Sequence, residues 1–195
     1  MKILNLYAGI GGNRKLWGTE HEITAVEKDK AIAGIYHEFF PHDKVVIGDA
    51  HQYLLDHFKE FDFIWSSPPC QTHSRGRACG VWSSKVCAKY PDMSLYEEIL
   101  LLKHFGHSAW VVENVIPYYQ PLIKPSFKLG KHLFWSSFVV PEKRFEASEH
   151  HSSLKHLYER KGFDLFAFKI PNKRQVLRNC VEPEIGLYVL NCLKG

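Results

Sequence analysis

Apolar residues fall in short runs separated by stretches of helical spacing, and this alternation repeats from Lys2 to Asn114. Lys2 to Tyr7 (KILNLY) alternates, is rich in β-forming residues and reads as a first strand. It runs into AGIGG, Ala8 to Gly12, where Gly9, Gly11 and Gly12 permit a tight turn and close approach of backbone to a ligand. Glu22 to Glu27 is a second strand that ends in an acid. Asp29 is placed to cap the next helix, in which Ile32, Ile35, Tyr36 and Phe39 recur at helical spacing before Pro41 stops it. Lys44 to Ile47 is a third strand leading into Gly48-Asp49-Ala50, and Tyr53, Leu54 and Phe58 mark a second amphipathic helix. Phe61 to Trp65 is a buried strand, ended by Pro68 and Pro69, which have no backbone N–H for a ladder. Ser94 to Phe105 is a helix with Ser94 as cap and Glu97 and Glu98 in its first turn. Ala109 to Val112 is a strand that ends at Glu113-Asn114.

This order predicts an α/β protein with a mostly parallel, doubly wound sheet. Arg75 to Tyr90 shows no periodicity and reads as a long loop, carrying Arg75, Arg77, Lys85, Lys89 and Trp82. Beyond Pro117 the pattern weakens. Strand-like pieces surround Ser136-Ser137, a short helix is placed near Leu154 to Arg160, and a last helix starts at Pro183, a favourable first helical position.

Composition narrows the class. The chain of 195 residues is 45% hydrophobic and 24% charged, enough for one domain with a real core. No apolar run approaches a membrane span, and MKILNLYAG reads as a strand rather than a signal peptide, so a cytoplasmic protein is expected. The five cysteines form no close pairs, which favours a reduced protein over a disulfide framework. Cys79 and Cys87 with His73 match no standard zinc spacing, and no metal site is predicted. The net charge of +4 is compatible with a polyanionic partner.

Candidate chemistry gathers at strand ends. Gly9 to Gly12, Glu27, Asp49 and Cys70 follow successive strands, and Glu113 follows a later one. In a doubly wound sheet these ends lie side by side and form the ligand crevice. Cys70 sits just after the proline corner, followed by Gln71, Thr72, His73, Ser74, Arg75 and Arg77, so a basic, exposed setting that favours the thiolate is expected. An acid after the second strand suits ribose hydroxyls. A nicotinamide site is disfavoured, because the third position of G-x-G-x-x-G is Arg14.

The segments NLYAGIGG, AVEKD, GDA, PPCQ, ENV and RNCVEP, in this order from Asn5 to Pro183, resemble the motif series of the DNA cytosine-5 methyltransferases. The resemblance implies a Rossmann-like S-adenosylmethionine-dependent methyltransferase that methylates carbon 5 of a flipped-out cytosine in double-stranded DNA through a covalent cysteine adduct. It implies Cys70 as nucleophile, Glu113 as the carboxylate facing the base, Glu27 on the ribose and Asp49 on the adenine edge. Tyr7, Ala8, Gly9, Gly11, Gly12, Ala50, Pro68 and Asn179 complete the implied cofactor set. Gln71, Ser74, Arg75, Arg77, Lys131 and His132 are the residues expected against DNA. The implied organisation is a catalytic domain over 1–140, a small target-recognition segment over 141–174 and a closing segment over 175–195, acting as a monomer. Lys143, Arg144, His150, His151, Arg160 and Lys173 are the recognition candidates.

The sequence also departs from the family. Asn5 stands where aspartate is commoner, Tyr7 where phenylalanine is, and Arg178 replaces a glycine. The glutamine–arginine motif is absent, with Lys131 to Trp135 as its nearest remnant. The short recognition segment resembles that of compact, phage-like members. Two alternatives stay open: an RNA methyltransferase with the same motifs, and an inactive nucleic-acid-binding relative, against which the retention of both Cys70 and Glu113 speaks.

Overall fold

Every residue from Ile3 to Leu6 in strand β1 (Lys2–Leu6) is buried, so β1 does not alternate as its sequence suggests but is covered on both faces. That is the condition of a central strand in a parallel sheet. The computed structural model describes residues 1–145 and 153–194. After β1 come a 3-10 turn (Asn13–Leu16), β2 (Glu22–Glu27), α1 (Lys30–Phe39), β3 (Lys44–Ile47), α2 (Ala50–His57), β4 (Phe63–Ser66), α3 (Arg75–Trp82) and α4 (Ser94–Phe105). The chain continues through β5 (Ala109–Val115), β6 (Phe127–Leu129), β7 (His132–Ser136), α5 (Leu154–Lys161), α6 (Lys173–Asn179) and α7 (Pro183–Lys194).

The strands form one sheet in the order β3-β2-β1-β4-β5-β7-β6. β1 to β5 run parallel, and β7 is antiparallel to both β5 and β6. The doubly wound α/β fold expected from the strand–helix alternation is present. On one face Ile185, Val189 and Leu190 of α7, with Trp17, pack on Ile3, Phe63, Trp65 and Val111. On the other, Leu54 of α2 and Leu95, Ile99 and Leu102 of α4 pack on Leu4, Leu6, Ile64 and Val112. Strand order reverses at β1, between β2 and β4, so the crevice opens beyond the carboxyl ends of these strands.

Several boundaries differ from the sequence reading. Arg75 to Trp82 is a helix, not loop: Ser74 Oγ accepts from the Arg77 amide at 3.3 Å and caps it. Only Ala78 of this helix is buried, so no apolar stripe marks it in the sequence. Ser94 is the first helical residue rather than the cap, and Asp92 Oδ1 accepts from its amide. β5 extends to Val115, which places Glu113 and Asn114 inside the strand. The seven-residue α6 and three-residue β6 were not expected and are too short to carry a period. The helices at Leu154 and Pro183 stand where the sequence places them.

The described part of the 141–174 segment does not stand apart. Leu157, Phe163 and Leu165 pack with Leu177 against Ile10 and Ile35. Arg160 pairs with Glu182 at 3.1 Å, and Lys173 Nζ donates to the Phe166 carbonyl at 3.0 Å. Lys143 lies over the rings of Phe145 and Tyr188, and Arg144 is exposed. His150 and His151 lie outside the described residues. Among the described residues no helix is long and apolar enough to cross a membrane, and no cluster of three or more His, Cys, Asp or Glu could hold a metal ion.

Candidate active site

The chain leaves β1 through Tyr7, whose φ of 54° is left-handed, and then Gly9 at φ 55°. A non-glycine residue in that region is uncommon and held by its surroundings. Tyr7 is held at its tip: its hydroxyl donates to Glu98 Oε1 at 2.6 Å. Glu98, fully buried, also accepts from Ser66 Oγ at 2.5 Å and meets His51 Nδ1 at 3.0 Å. Burial, then the Glu98 charge, pushes the Tyr7 phenol far above its ordinary value, and the hydrogen bond to Glu98 raises His51.

The Gly9 amide donates to Glu27 Oε2 at 2.9 Å, and the Asp29 amide donates to Oε1 at 2.9 Å. Glu27 thus ties the glycine turn to the start of α1. A Cβ on Gly9 would meet no atom within 4 Å, so this backbone faces open space. A Cβ on Gly12 would stand 2.5 Å from the Val181 carbonyl, which fixes the turn against the start of α7. Gly11 does not line the cleft, contrary to its expected place in the cofactor set. Its φ of 85° and its contact with the Phe40 ring make it a packing glycine. Asp49 caps α2 through the amides of His51 and Gln52 and lies 3.3 Å from Lys28 Nζ. The Gln52 amide, with Lys28, holds its carboxyl below the ordinary value. Asn5 and Asn13 form a buried amide pair, with Asn13 Nδ2 donating to Asn5 Oδ1 at 2.8 Å. A neutral partner at position 13 is why asparagine suits position 5.

These strand ends enclose a cleft of about 600 Å³. Tyr7, Ala8, Gly9, Gly12, Glu27, Asp49, Ala50, Pro68, Cys70, Gln71, Glu113, His132 and Asn179 all line it. Ser74, Arg75, Arg77 and Lys131 do not. Arg75 Nε donates to the Pro117 carbonyl at 3.4 Å, and an Arg77 nitrogen donates to the Cys87 carbonyl at 2.8 Å. His51, Asn13, Asn114 and Arg178 also line the cleft and were missed. His51 and Asn114 adjoin residues the motifs singled out, while nothing local marks Asn13.

Asn114 locks the two chemical groups together. Its Nδ2 donates to the Pro68 carbonyl at 3.0 Å, bridging β5 to the proline corner before Cys70. The expected thiolate-favouring environment is absent. Cys70 is only partly exposed, its arginine neighbours point elsewhere, and burial followed by the Glu113 charge pushes its thiol up to about 11. Alkylation of Cys70 by iodoacetamide is therefore expected to be slow at neutral pH and to accelerate until the pH passes about 11, because only the thiolate reacts. Peptide mapping of the alkylated protein across pH checks this.

A sequence comparison finds a likeness in the first part of the chain. Residues 1–85 match the family described as C-5 cytosine-specific DNA methylase. The methylase match covers 85 of the 195 residues and includes the glycine turn, Glu27, Asp49 and Cys70. Glu113, His132 and Asn179 lie beyond it, and their assignment rests on the motif resemblance and the cleft. S-adenosyl-L-methionine is the methyl donor of that family. No curated protein matches the chain.

Solved structures show partial likeness. A putative methyltransferase, yhhF, from Escherichia coli is 18% identical over 69% of this chain and 73% of its own, with a TM-score of 0.44. DNMT2 of Spodoptera frugiperda is 27% identical over 58% of this chain and 35% of its own, with a TM-score of 0.40. A putative DNA modification methyltransferase encoded within an E. coli prophage is 19% identical over 62% of this chain and 33% of its own, with a TM-score of 0.41.

Proposed function

We propose that the protein transfers a methyl group to carbon 5 of a flipped-out cytosine in DNA. The observation that carries this reading is the convergence of Cys70 and Glu113 on one cleft, joined by the Asn114–Pro68 hydrogen bond. Carbon 5 of cytosine is a weak nucleophile. Addition of the Cys70 thiolate to carbon 6 converts the ring to an enamine and makes carbon 5 reactive, splitting one hard step into easier ones. Glu113 meets the ring nitrogen and amino group and relieves the charge that addition creates. Once carbon 5 carries the methyl group, loss of its proton to solvent expels the thiolate and restores the aromatic ring. With its thiol pushed up to about 11 in the free protein, only a small fraction of Cys70 is thiolate at neutral pH.

The cleft fits S-adenosyl-L-methionine. Its volume lies within the range of about 300–1,000 Å³ usual for small-molecule sites. Gly9 leaves open space, and Glu27 and Asp49 offer carboxylate acceptors for ribose hydroxyls and an adenine amino group. When bound, the cofactor supplies an electrophilic methyl on a sulfonium. Glu27→Ala is expected to weaken binding of S-adenosylhomocysteine by about 1–3 kcal/mol, the usual loss when hydroxyls lose a charged acceptor. Isothermal calorimetry checks it, and unchanged affinity would place the sugar elsewhere.

The nucleic-acid side is the surface between Trp82 and Met93. Trp82 and Tyr90 are 72% and 95% exposed, beside Lys85 and Lys89. Aromatic rings interleaved with cations suit unstacked bases and phosphates, and a base must leave the helix to reach Cys70. Of the four described recognition candidates, Arg160 and Lys173 are engaged internally and Lys143 and Arg144 are exposed, which supports a short recognition site. Tritium transfer from labelled cofactor to DNA, RNA or free nucleotide tests the substrate. Transfer to RNA alone would replace the DNA reading, and transfer to none would overturn it.

A further inference from the structure

We propose that His132 is the positioning residue for the Glu113 carboxyl group, a role that rests on the reading of the cleft given above. β7 lies antiparallel to β5 with Val115 opposite His132 and Glu113 opposite Phe134. Side chains alternate along a strand, so Glu113, Val115, His132 and Phe134 share one face of the sheet, with His132 the diagonal neighbour of Glu113. His132 Nε2 lies 3.6 Å from Glu113 Oε1. The two side chains are 22% and 8% exposed, and both line the cleft with Cys70.

Among the described residues, no other basic side chain stands within ion-pair distance of Glu113. Phe134, directly opposite, is apolar and packs on Trp65 and Phe127. Lys131, in the turn that precedes β7, does not line the cleft. The geometry thus separates two basic residues that are adjacent in sequence. His132 Nδ1 is buried without a hydrogen-bonding partner, so no second contact holds the ring away from Glu113.

At 3.6 Å the contact is longer than a formed hydrogen bond. Such contacts commonly tighten when substrate is seated. A carboxyl group held at one oxygen presents the other in a fixed direction. Here Oε1 faces His132, and once that contact closes the second oxygen is left for the base. Orientation of this kind is worth up to about 100-fold in rate.

The test compares His132→Ala and His132→Gln with the wild type. Read out are kcat, KM for DNA, calorimetric affinity for S-adenosylhomocysteine, and the rate of covalent adduct formation with DNA carrying 5-fluorocytosine. His132→Ala is expected to lower kcat and the adduct rate by about 10–100-fold, with KM and cofactor affinity changed less than about twofold. His132→Gln, whose amide N–H reaches the same oxygen, and free imidazole added to His132→Ala should each restore much of the lost rate. Full activity of His132→Ala would overturn the proposal, as would a loss that follows cofactor affinity or thermal stability with no rescue. A wild type that neither transfers methyl nor forms an adduct would overturn the reading of the cleft and this proposal with it. An active wild type with an unaffected His132→Ala overturns this proposal alone.

Discussion

Cys70→Ser is expected to reduce methyl transfer by about 10³-fold or more while binding of S-adenosylhomocysteine is retained, because a hydroxyl is a far weaker nucleophile at neutral pH. The substitution replaces one atom at a partly buried position, so folding should be little disturbed. Steady-state methylation assays and calorimetry on the same preparation check the two halves. Turnover near the wild-type rate would remove Cys70 from the mechanism. Loss of cofactor binding in parallel would mean that the residue shapes the cleft rather than attacks the base.

Glu113→Gln is expected to lower kcat by about 10²–10⁴-fold, the usual range for losing a positioned proton-transferring group. The same variant should move Cys70 the other way. The Glu113 charge is the second cause, after burial, of the raised thiol, and removing it shifts the thiol pKa down from about 11. Below that value a larger fraction of Cys70 is then thiolate, so alkylation accelerates at a given pH while catalysis falls. Iodoacetamide kinetics and methylation rates measured side by side check both directions. Parallel loss in the two assays would show a collapsed cleft instead.

The fold was legible where local chemistry and burial agree. Asp29 and Asp49 cap α1 and α2 as their types suggest, because a cap is a local hydrogen bond. The proline corner after β4 announced itself for the same reason. The α3 helix was not legible, since one buried residue leaves no period, and Ser94 lost the cap to a geometry that places Asp92 beside its amide. The glycines of the turn look alike in sequence, yet Gly9 faces the cleft and Gly11 faces Phe40.

The lining of the cleft was legible in its strand-end residues and illegible in what joins distant elements. Glu98 reads as a first-turn acid on a helix surface, whereas it is a fully buried acceptor for Tyr7 and Ser66. The charge environment of Cys70 was misjudged because Arg75 and Arg77, close in sequence, are turned to backbone carbonyls. His132 and Lys131 are neighbours in sequence, yet only His132 pairs with β5 and lines the cleft beside Glu113.

Formation of a covalent adduct tests the central claim most directly. The protein, S-adenosyl-L-methionine and a DNA duplex carrying 5-fluorocytosine are incubated, digested and analysed by mass spectrometry. The fluorine blocks release of the thiolate, so a stable adduct to the peptide containing Cys70, together with a transferred methyl group, is the predicted result. Methylation of ordinary DNA by the same preparation with no adduct on Cys70, or an adduct on another residue, would contradict it.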